Sequence, residues 1–285
     1  MDKYGEVFSK FNFNQSDAEI TVNVEKILEN TNENRTTDIL KFLYSCIDLT
    51  SLNTDDGKES IWKFVEIVNK FDESRTDMDN VAAICVYPNL VATVNEALIT
   101  DQVKIASVAA GFPSSQTFIE VKIAEVALAV ADGADEIDIV LNAGDFFDAD
   151  YDNITQEIEE IKQVCKDATL KVILETGLLK TGENIKKASI LAMYSGADFI
   201  KTSTGKVYSG ASPDAFYAIC QTVKTYYDLH QKKIGVKVSG GVRSVEDALI
   251  YYTIVKEILG QEWLNPSLFR IGASGLADNL LKEIG

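Results

Sequence analysis

The chain has 285 residues, of which 46% are hydrophobic and 25% are charged, so it can bury a sizeable core as one or two domains. Acidic residues outnumber basic ones by 44 to 27, and the formal charge of −17 argues against a partner that is nucleic acid or an anionic membrane surface. The single histidine, His230, excludes metal sites built from several histidines, and we expect it at the surface.

The four cysteines are Cys46, Cys85, Cys165 and Cys220, and none lies in the CxxC spacing of a zinc or thioredoxin-like motif. We interpret them as buried, free thiols. The N-terminal residues lack the basic and apolar regions of a signal peptide, and no stretch approaches the roughly 18 apolar residues of a membrane span. We therefore expect a cytoplasmic protein.

The first 35 residues differ in composition from the rest of the chain. They are rich in Asn and Glu and have helical periodicity at Ile20, Val24 and Ile27. We expect residues 1–35 to form an N-terminal helical extension that packs on the bottom of the main domain, and residues 36–285 to form that domain.

Eight short apolar runs alternate with helical patterns along residues 36–285. The runs are nearly continuous, which is typical of parallel strands that are buried on both faces. Helix starts are indicated by Ser212 before Pro213 and by a capping box at Ser244–Asp247. The predicted strands are Phe42–Asp48, Val81–Tyr87, Val103–Ala109, Glu136–Asn142, Leu170–Thr176, Asp198–Thr202, Ile234–Ser239 and Leu268–Gly272.

This eightfold alternation predicts an α/β fold, a (β/α)8 TIM barrel with extra N-terminal helices. The alternative is an open, doubly wound sheet. No GxGxxG motif follows the first predicted strand, so the sequence offers no support for a dinucleotide site of that fold.

Three predicted strands contain a charged residue among apolar ones. Gly-Ala-Asp precedes two of them, and five residues after each glycine stand Asp138 and Lys201; Lys237 interrupts the following strand in the same way. A charge inside a central strand is costly unless it is paired or functional. Residues at the C-terminal ends of barrel strands form the active-site mouth, so these three are candidate catalytic residues.

Lys201 and Lys237 stand on consecutive strands, and neighbouring parallel strands are ~4.8 Å apart. At that distance two ammonium groups repel each other by about 3 kcal/mol at an effective dielectric of about 20, or roughly two pKa units. The repulsion would leave a neutral amine for Schiff-base chemistry. The alternative for each lysine is a structural ion pair with an acid such as Asp138.

Glycine-rich turns follow the last two predicted strands, where barrels of this class usually bind phosphate. Gly240 and Gly241 precede Arg243, and Arg270 precedes Gly272 and Ser274. The alternatives are that the glycines only make tight turns and that Arg270 forms an ion pair inside its strand.

Three other positions follow predicted strands. The segment Ser203–Lys206 after the sixth strand could also contact a phosphate. Asp48 either lines the mouth or caps the turn after the first strand. Cys85 ends the second strand and, without a histidine or CxxC partner, is interpreted as an inert buried thiol.

Five motifs along residues 48–206 resemble the deoxyribose-phosphate aldolase family, which consists of class I aldolases. The longest and most specific is the last one. The motifs are Asp48–Asn53, Ala82–Pro88, Gly133–Val140, Leu174–Gly177 and Gly196–Lys206.

The resemblance implies cleavage of 2-deoxy-D-ribose 5-phosphate to acetaldehyde and D-glyceraldehyde 3-phosphate, with no metal or organic cofactor. It implies Lys201 as the Schiff-base lysine, with Asp138 and Lys237 in proton transfer and pKa tuning. The residues expected to bind the phosphosugar are Asp48, Thr50, Cys85, Thr202, Gly205, Lys206, Gly240, Gly241, Arg243, Gly272 and Ser274.

The chain departs from the family pattern in three places. Val238 and Ser239 replace the usual Pro-Ala, Gly275 replaces a second Ser, and the chain ends at Gly285 without a Tyr.

Two alternative functions are a different phosphosugar Schiff-base barrel, such as a transaldolase, and a non-catalytic barrel that acts as an interaction protein. A homodimer is the expected association.

Overall fold

The structure, a computed structural model, describes residues 3–285, and within them eight parallel strands close into one barrel. Each strand pairs with the next along the chain, and β8 pairs with β1. The predicted (β/α)8 barrel is therefore confirmed. The strands are β1 Ile47–Thr50, β2 Ala83–Val86, β3 Lys104–Val108, β4 Glu136–Val140, β5 Thr169–Ile173, β6 Phe199–Lys201, β7 Gly235–Ser239 and β8 Phe269–Ala273.

Helices surround the barrel and connect its strands. Short 3₁₀ turns at Thr31–Asn34, Pro88–Leu90 and Gln261–Trp263 complete the connections. The α-helices are α1 Lys3–Phe8, α2 Asp17–Leu28, α3 Thr37–Ser45, α4 Lys58–Ser74, α5 Val91–Ala97, α6 Ile119–Ala131, α7 Ala143–Phe147, α8 Tyr151–Cys165, α9 Thr176–Leu179, α10 Gly182–Tyr194, α11 Pro213–His230, α12 Val245–Ile258 and α13 Leu276–Ile284.

The first strand begins later than the sequence predicts. Most of the run Phe42–Asp48 belongs to α3, whose N-terminus is capped by the Thr36 hydroxyl. Leu40, Leu43 and Tyr44 are buried at helical spacing, so the run combines the end of an amphipathic helix with the start of a buried strand. The other seven strands overlap their predicted runs and are shorter than or shifted from them by a few residues.

The local signals for helix ends agree with the structure. Ser212 caps α11 ahead of Pro213, and Ser244 with Asp247 forms the capping box of α12. Gly133 and Gly196, which precede β4 and β6, have φ angles of 109° and 101°. These left-handed conformations favour glycine, and they end α6 and α10 so that each following strand can begin.

The N-terminal extension packs on outer helices of the barrel. Helix α2 contacts α11 and α12, and its Asp17 carboxylate accepts a hydrogen bond of 2.8 Å from the Gly182 amide at the start of α10. The extension therefore lies along the barrel's side, and our expectation that it covers the bottom is wrong. Residues 1 and 2 of the predicted extension lie outside the described residues, and within residues 3–285 no helix is long and apolar enough to cross a membrane.

The strands bury side chains on both faces. One face packs against the helices in a large apolar core that includes Ile47, Ile84 and Val236. The other face fills the barrel interior. There the side chains from β2 and β3 are small and apolar, whereas the remaining strands contribute seven charged side chains.

Candidate active site

Seven charged side chains meet inside the barrel, and all are at least nine-tenths buried. Strand register brings them together, because Lys201 is paired with Lys237, Lys237 with Arg270, and Asp138 with Lys171. The seven are Asp48, Glu136, Asp138, Lys171, Lys201, Lys237 and Arg270.

Asp138 contacts all three lysines of this network. Its Oδ2 accepts hydrogen bonds from Lys201 Nζ at 2.7 Å and from Lys237 Nζ at 2.8 Å, and its Oδ1 accepts one from Lys171 Nζ at 3.1 Å. One carboxylate is thus shared by three amines. The structure brings together the three residues that the sequence singles out as catalytic.

A second group of charges lies against the first. Arg270 joins Asp48 at 2.6 Å to Glu136 at 2.8 Å, and Asp48 also contacts Lys237. Lys171 contacts Glu136 and lies 3.6 Å from Asp48. Every charge in the network has at least one opposite charge beside it, which offsets the cost of burial.

The pKa of Lys201 is lowered, and burial is the largest cause. Asp138 opposes that shift, and Lys237 adds to it. The Lys201 pKa is therefore lowered, as expected. The main cause is removal from water, however, and the expected repulsion by Lys237 contributes less.

The pKa values of Lys237 and Asp138 change in the directions that favour the charged forms, whereas that of Lys201 favours the neutral form. Burial disfavours the Lys237 ammonium, but Asp138 and Asp48 outweigh this effect and raise its pKa. Burial likewise disfavours the Asp138 carboxylate, but Lys171, Lys201 and Lys237 hold its pKa well below the usual range. Lys237 therefore stays an ammonium beside an ionised Asp138, and both alternatives stated for it, structural pairing and pKa tuning, agree with its contacts.

Charge balance gives a second reason for a neutral Lys201. The network has three carboxylates, Asp48, Glu136 and Asp138, and three cations besides Lys201, namely Lys171, Lys237 and Arg270. The interior is therefore electroneutral when Lys201 is an amine, and it carries an excess positive charge when Lys201 is protonated. A buried, uncompensated charge is unfavourable, so the network favours the nucleophilic form of Lys201.

A cavity of about 340 Å³ opens above the network at the C-terminal ends of the strands. Its size is that of a small-molecule site. Nine residues of the predicted site line it: Lys201, Thr50, Gly205, Lys206, Gly240, Gly241, Arg243, Gly272 and Ser274. Asp138 and Lys237 lie beneath Lys201 and do not line the cavity.

Three residues predicted to bind the substrate do not line this cavity. Asp48 is fully buried between Lys237 and Arg270, so it neither lines the mouth nor caps the following turn. Cys85 is buried among the apolar side chains of β2 and β3, where burial raises its pKa. The Thr202 hydroxyl donates to the Ser239 carbonyl and accepts from the Ser239 amide, which joins β6 to β7.

The phosphate-site alternatives are separated by position. Arg270 is an interior ion-pair partner and does not line the cavity, whereas Arg243 does. Lys206 donates from Nζ to the Leu52 carbonyl at the cavity wall. One of the predicted glycines, Gly240, also permits close packing, since a Cβ there would lie 2.9 Å from the Gly210 Cα.

Sequence reasoning missed several residues of the site. Lys171 and Glu136 interrupt apolar strands just as Lys201 and Asp138 do, so the same signal applied to every strand would have found them. Thr204 and Ser239 also line the cavity. His230 is exposed, as expected, and its Nε2 lies 2.7 Å from the Tyr194 hydroxyl.

Comparison with known proteins identifies the family. The model of the DeoC/LacD family of aldolases matches residues 42–275, which include the whole charged network and the lining of the cavity. The chain belongs to the DeoC/LacD aldolase family. This membership makes it an aldolase and selects that interpretation over a transaldolase or a non-catalytic barrel.

Relatives of this DeoC/LacD aldolase extend the comparison. The chain is 39% identical over 252 residues to deoxyribose-phosphate aldolase of Homo sapiens, a match that covers 84% of this chain and 78% of the human one. It is 38% identical over 242 residues to that of Agrobacterium fabrum, covering 84% and 89%. A solved structure of deoxyribose phosphate aldolase from Aeropyrum pernix, described as a tetramer, shares the fold with a TM-score of 0.67 at 24% identity and covers 90% of this chain and 95% of its own.

Proposed function

We propose that this aldolase reversibly cleaves 2-deoxy-D-ribose 5-phosphate to acetaldehyde and D-glyceraldehyde 3-phosphate through a Schiff base on Lys201. One observation carries the proposal: of the interior network, only Lys201 lines the cavity, and its pKa is lowered. The names of the human and Agrobacterium relatives supply the substrate.

The reaction begins when the neutral Lys201 amine attacks C1 of the open-chain sugar. The carbinolamine loses water and leaves an iminium ion, which serves as the electron sink. Loss of the C3 hydroxyl proton then breaks the C2–C3 bond. The bond's electron pair forms the enamine, and glyceraldehyde 3-phosphate departs. Protonation of the enamine at C2 and hydrolysis release acetaldehyde and restore Lys201.

Asp138 is the proposed proton carrier for these steps. Its Oδ2 is 2.7 Å from Lys201 Nζ, which is within reach for direct transfer and for transfer through one water molecule. Lys237 holds the same oxygen at 2.8 Å and keeps the carboxylate ionised between turnovers. The residues with these roles are the triad Lys201, Asp138 and Lys237.

The phosphate is assigned to the glycine-rich side of the cavity. Gly205, Gly240 and Gly241 have φ angles of 73°, 86° and 88°, which favour glycine and leave their backbone unobstructed. Lys206 and Ser274 line the same cavity and can contribute an ammonium and a hydroxyl. Binding there would place the sugar's carbonyl end toward Lys201.

Trapping with borohydride tests the central step. We expect acetaldehyde with borohydride to leave a stable ethyl group on Lys201, identified by peptide mapping. The Lys206→Met variant should still be labelled, and the Lys201→Met variant should not. Label on Lys206 or Lys237 in the unmodified chain would contradict the assignment.

Four other properties of the protein are also proposed. We propose action without a metal or organic cofactor, so that exhaustive chelation leaves turnover unchanged. All four cysteines are buried and free, which supports a reducing, cytoplasmic compartment. A homodimer also stays a proposal, and light scattering at two protein concentrations would test it. The division into an extension of residues 1–35 and a barrel of residues 36–285 is supported by the packing of α2 on α11 and α12.

A further inference from the structure

A buried carboxylate at the end of β5 takes no part in the proposed chemistry. Glu175 is 4% exposed and lies two residues beyond Ile173, the last residue of the strand. Its backbone is left-handed, with φ 57° and ψ 63°. Residues with a Cβ rarely adopt this conformation, and glycine would adopt it without strain. The backbone conformation alone would favour glycine here, so the contacts of the glutamate side chain are the feature to explain.

That side chain binds the loop after β6. The Thr204 hydroxyl donates to Glu175 Oε2 at 2.5 Å, and the Thr204 amide donates to Oε1 at 3.3 Å. The Thr204 Oγ1 in turn accepts the amide of Lys206 at 3.2 Å. A chain of hydrogen bonds therefore leads from the carboxylate to the segment Thr204–Lys206, all of which lines the cavity.

Other contacts hold the same loop against its neighbours. Ser239 Oγ donates to the Ser203 carbonyl at 2.5 Å. On the β5 side, a Cβ on Gly177 would lie 2.2 Å from the Ser209 carbonyl oxygen. The loop is thus enclosed between the ends of β5 and β7, and Glu175 is the charged group that fixes its cavity-facing part.

We propose that Glu175 is a positioning residue that holds Thr204–Lys206 where the substrate's phosphate binds; this inference rests on the proposed function. Both carboxylate oxygens are required because both Thr204 donors need an acceptor. Gln has only one acceptor oxygen, so it satisfies one donor and presents its own N–H groups to the other. Glu175 therefore acts on phosphate binding through Thr204 and leaves the Lys201 chemistry unaffected.

The Glu175→Gln variant tests this role with two substrates. For 2-deoxyribose 5-phosphate we expect KM to rise about tenfold with kcat changed less than about twofold, as for loss of one hydrogen bond to a charged acceptor. For 2-deoxyribose, which lacks the phosphate, kcat/KM should change less than about twofold. The matched control is Glu183→Gln, the same change on an exposed side chain at the start of α10, which should alter neither substrate's kinetics.

A second variant tests the same bond from its other end and does not depend on the folding of the first. Thr204→Val should also raise KM for the phosphorylated substrate. The KM of the double variant should be close to that of the single variant with the higher KM, because both changes act on the same contact between Glu175 and Thr204. An equal loss of kcat/KM on both substrates, or effects that multiply in the double variant, would overturn the positioning role. Absence of turnover of 2-deoxyribose 5-phosphate by the unmodified chain would instead reject the proposed function.

Discussion

The barrel interior has two sides of different chemistry, a charged side formed by six strands and an apolar side formed by two. The strands β4 to β8 together with β1 contribute seven charged side chains, whereas β2 and β3 contribute Ala83, Cys85, Ala106 and Val108. The side chains of both sides are at least nine-tenths buried. The difference therefore lies in composition: the charged side holds the residues to which the proposed proton transfers are assigned, and the apolar side holds none of them.

The comparison shows how the free-energy cost of burying charged groups is offset. On the charged side each group is held by partners of opposite sign, and three carboxylates balance three cations when Lys201 is neutral. On the apolar side nothing ionises readily, because burial raises the pKa of Cys85. A variant on the charged side should therefore disturb both catalysis and stability, unless it preserves the balance.

The largest expected effect on activity is that of Lys201→Met. Removal of the nucleophile should lower kcat/KM by about 10⁴-fold or more. The interior stays electroneutral in this variant, so the free energy of unfolding should change by less than about 1 kcal/mol. Turnover assays with denaturant unfolding measure both quantities. A strongly destabilised Lys201→Met protein would show that Lys201 is a structural cation in the resting enzyme.

Asp138→Asn should affect both quantities. It removes one carboxylate from beneath three amines, so we expect a loss of about 3–5 kcal/mol in unfolding free energy and a fall of about 10²–10³-fold in kcat/KM. The folded-state pKa of Asp138 lies well below its unfolded value near 4, so its contribution to stability is present at neutral pH and is lost as the pH falls below about 4.

The unmodified chain should therefore lose more stability on acidification than Asp138→Asn does. Denaturant unfolding at pH 7 and at pH 3 would measure the difference between the two proteins. Equal slopes against pH would contradict the proposed pairing of Asp138.

The sequence allowed the fold to be predicted, and also the grouping of the three strand charges that are proposed as the catalytic triad, since both follow from local pattern. Buried parallel strands produce continuous apolar runs, and a charge within such a run stands out, as Asp138, Lys201 and Lys237 do. The boundary of the first strand could not be predicted, because Phe42–Tyr44 is apolar for helical packing and only Ser45 and Cys46 separate it from the strand.

Contacts across the barrel could not be predicted either. Asp48 was expected either to line the mouth or to cap a turn, but it binds Arg270 in the interior at 2.6 Å. For Arg270 an ion pair inside the strand was one of the stated alternatives, but its partner was not identified. That pairing depends on which way each side chain points and on the closure of β8 against β1. The role of burial in lowering the Lys201 pKa was likewise hidden, because the number of neighbours is a property of the folded barrel.

Lys237→Met sharpens the distinction between tuning and structural pairing on the charged side. Since Lys237 lowers the Lys201 pKa, its removal should raise that pKa and move the acidic limb of kcat/KM to higher pH. Activity lost at neutral pH, about tenfold or more, should be partly recovered in alkaline buffer. Measurement of the pH profile of kcat/KM together with thermal unfolding distinguishes the roles. An unmoved acidic limb in a destabilised protein indicates that Lys237 forms only an ion pair. A loss of activity that is equal at every pH indicates that Lys237 is a proton shuttle.

The smallest effects are expected on the apolar side. Cys85→Ala removes one buried sulfur atom from beside Ala83 and Ala106, so it should cost about 1 kcal/mol of unfolding free energy and change kcat/KM by less than about threefold. Cys85→Ser has nearly the size of the original side chain but places a hydroxyl in the same apolar surroundings, so it should cost more than the alanine variant does, by about 1–3 kcal/mol if the hydroxyl finds no partner. Denaturant unfolding of the two variants gives the comparison, and steady-state kinetics give the effect on turnover. A tenfold loss of activity in Cys85→Ala would mean that the apolar side takes part in the reaction. A Cys85→Ser variant as stable as Cys85→Ala would mean that the surroundings of residue 85 accommodate a hydroxyl and are not apolar.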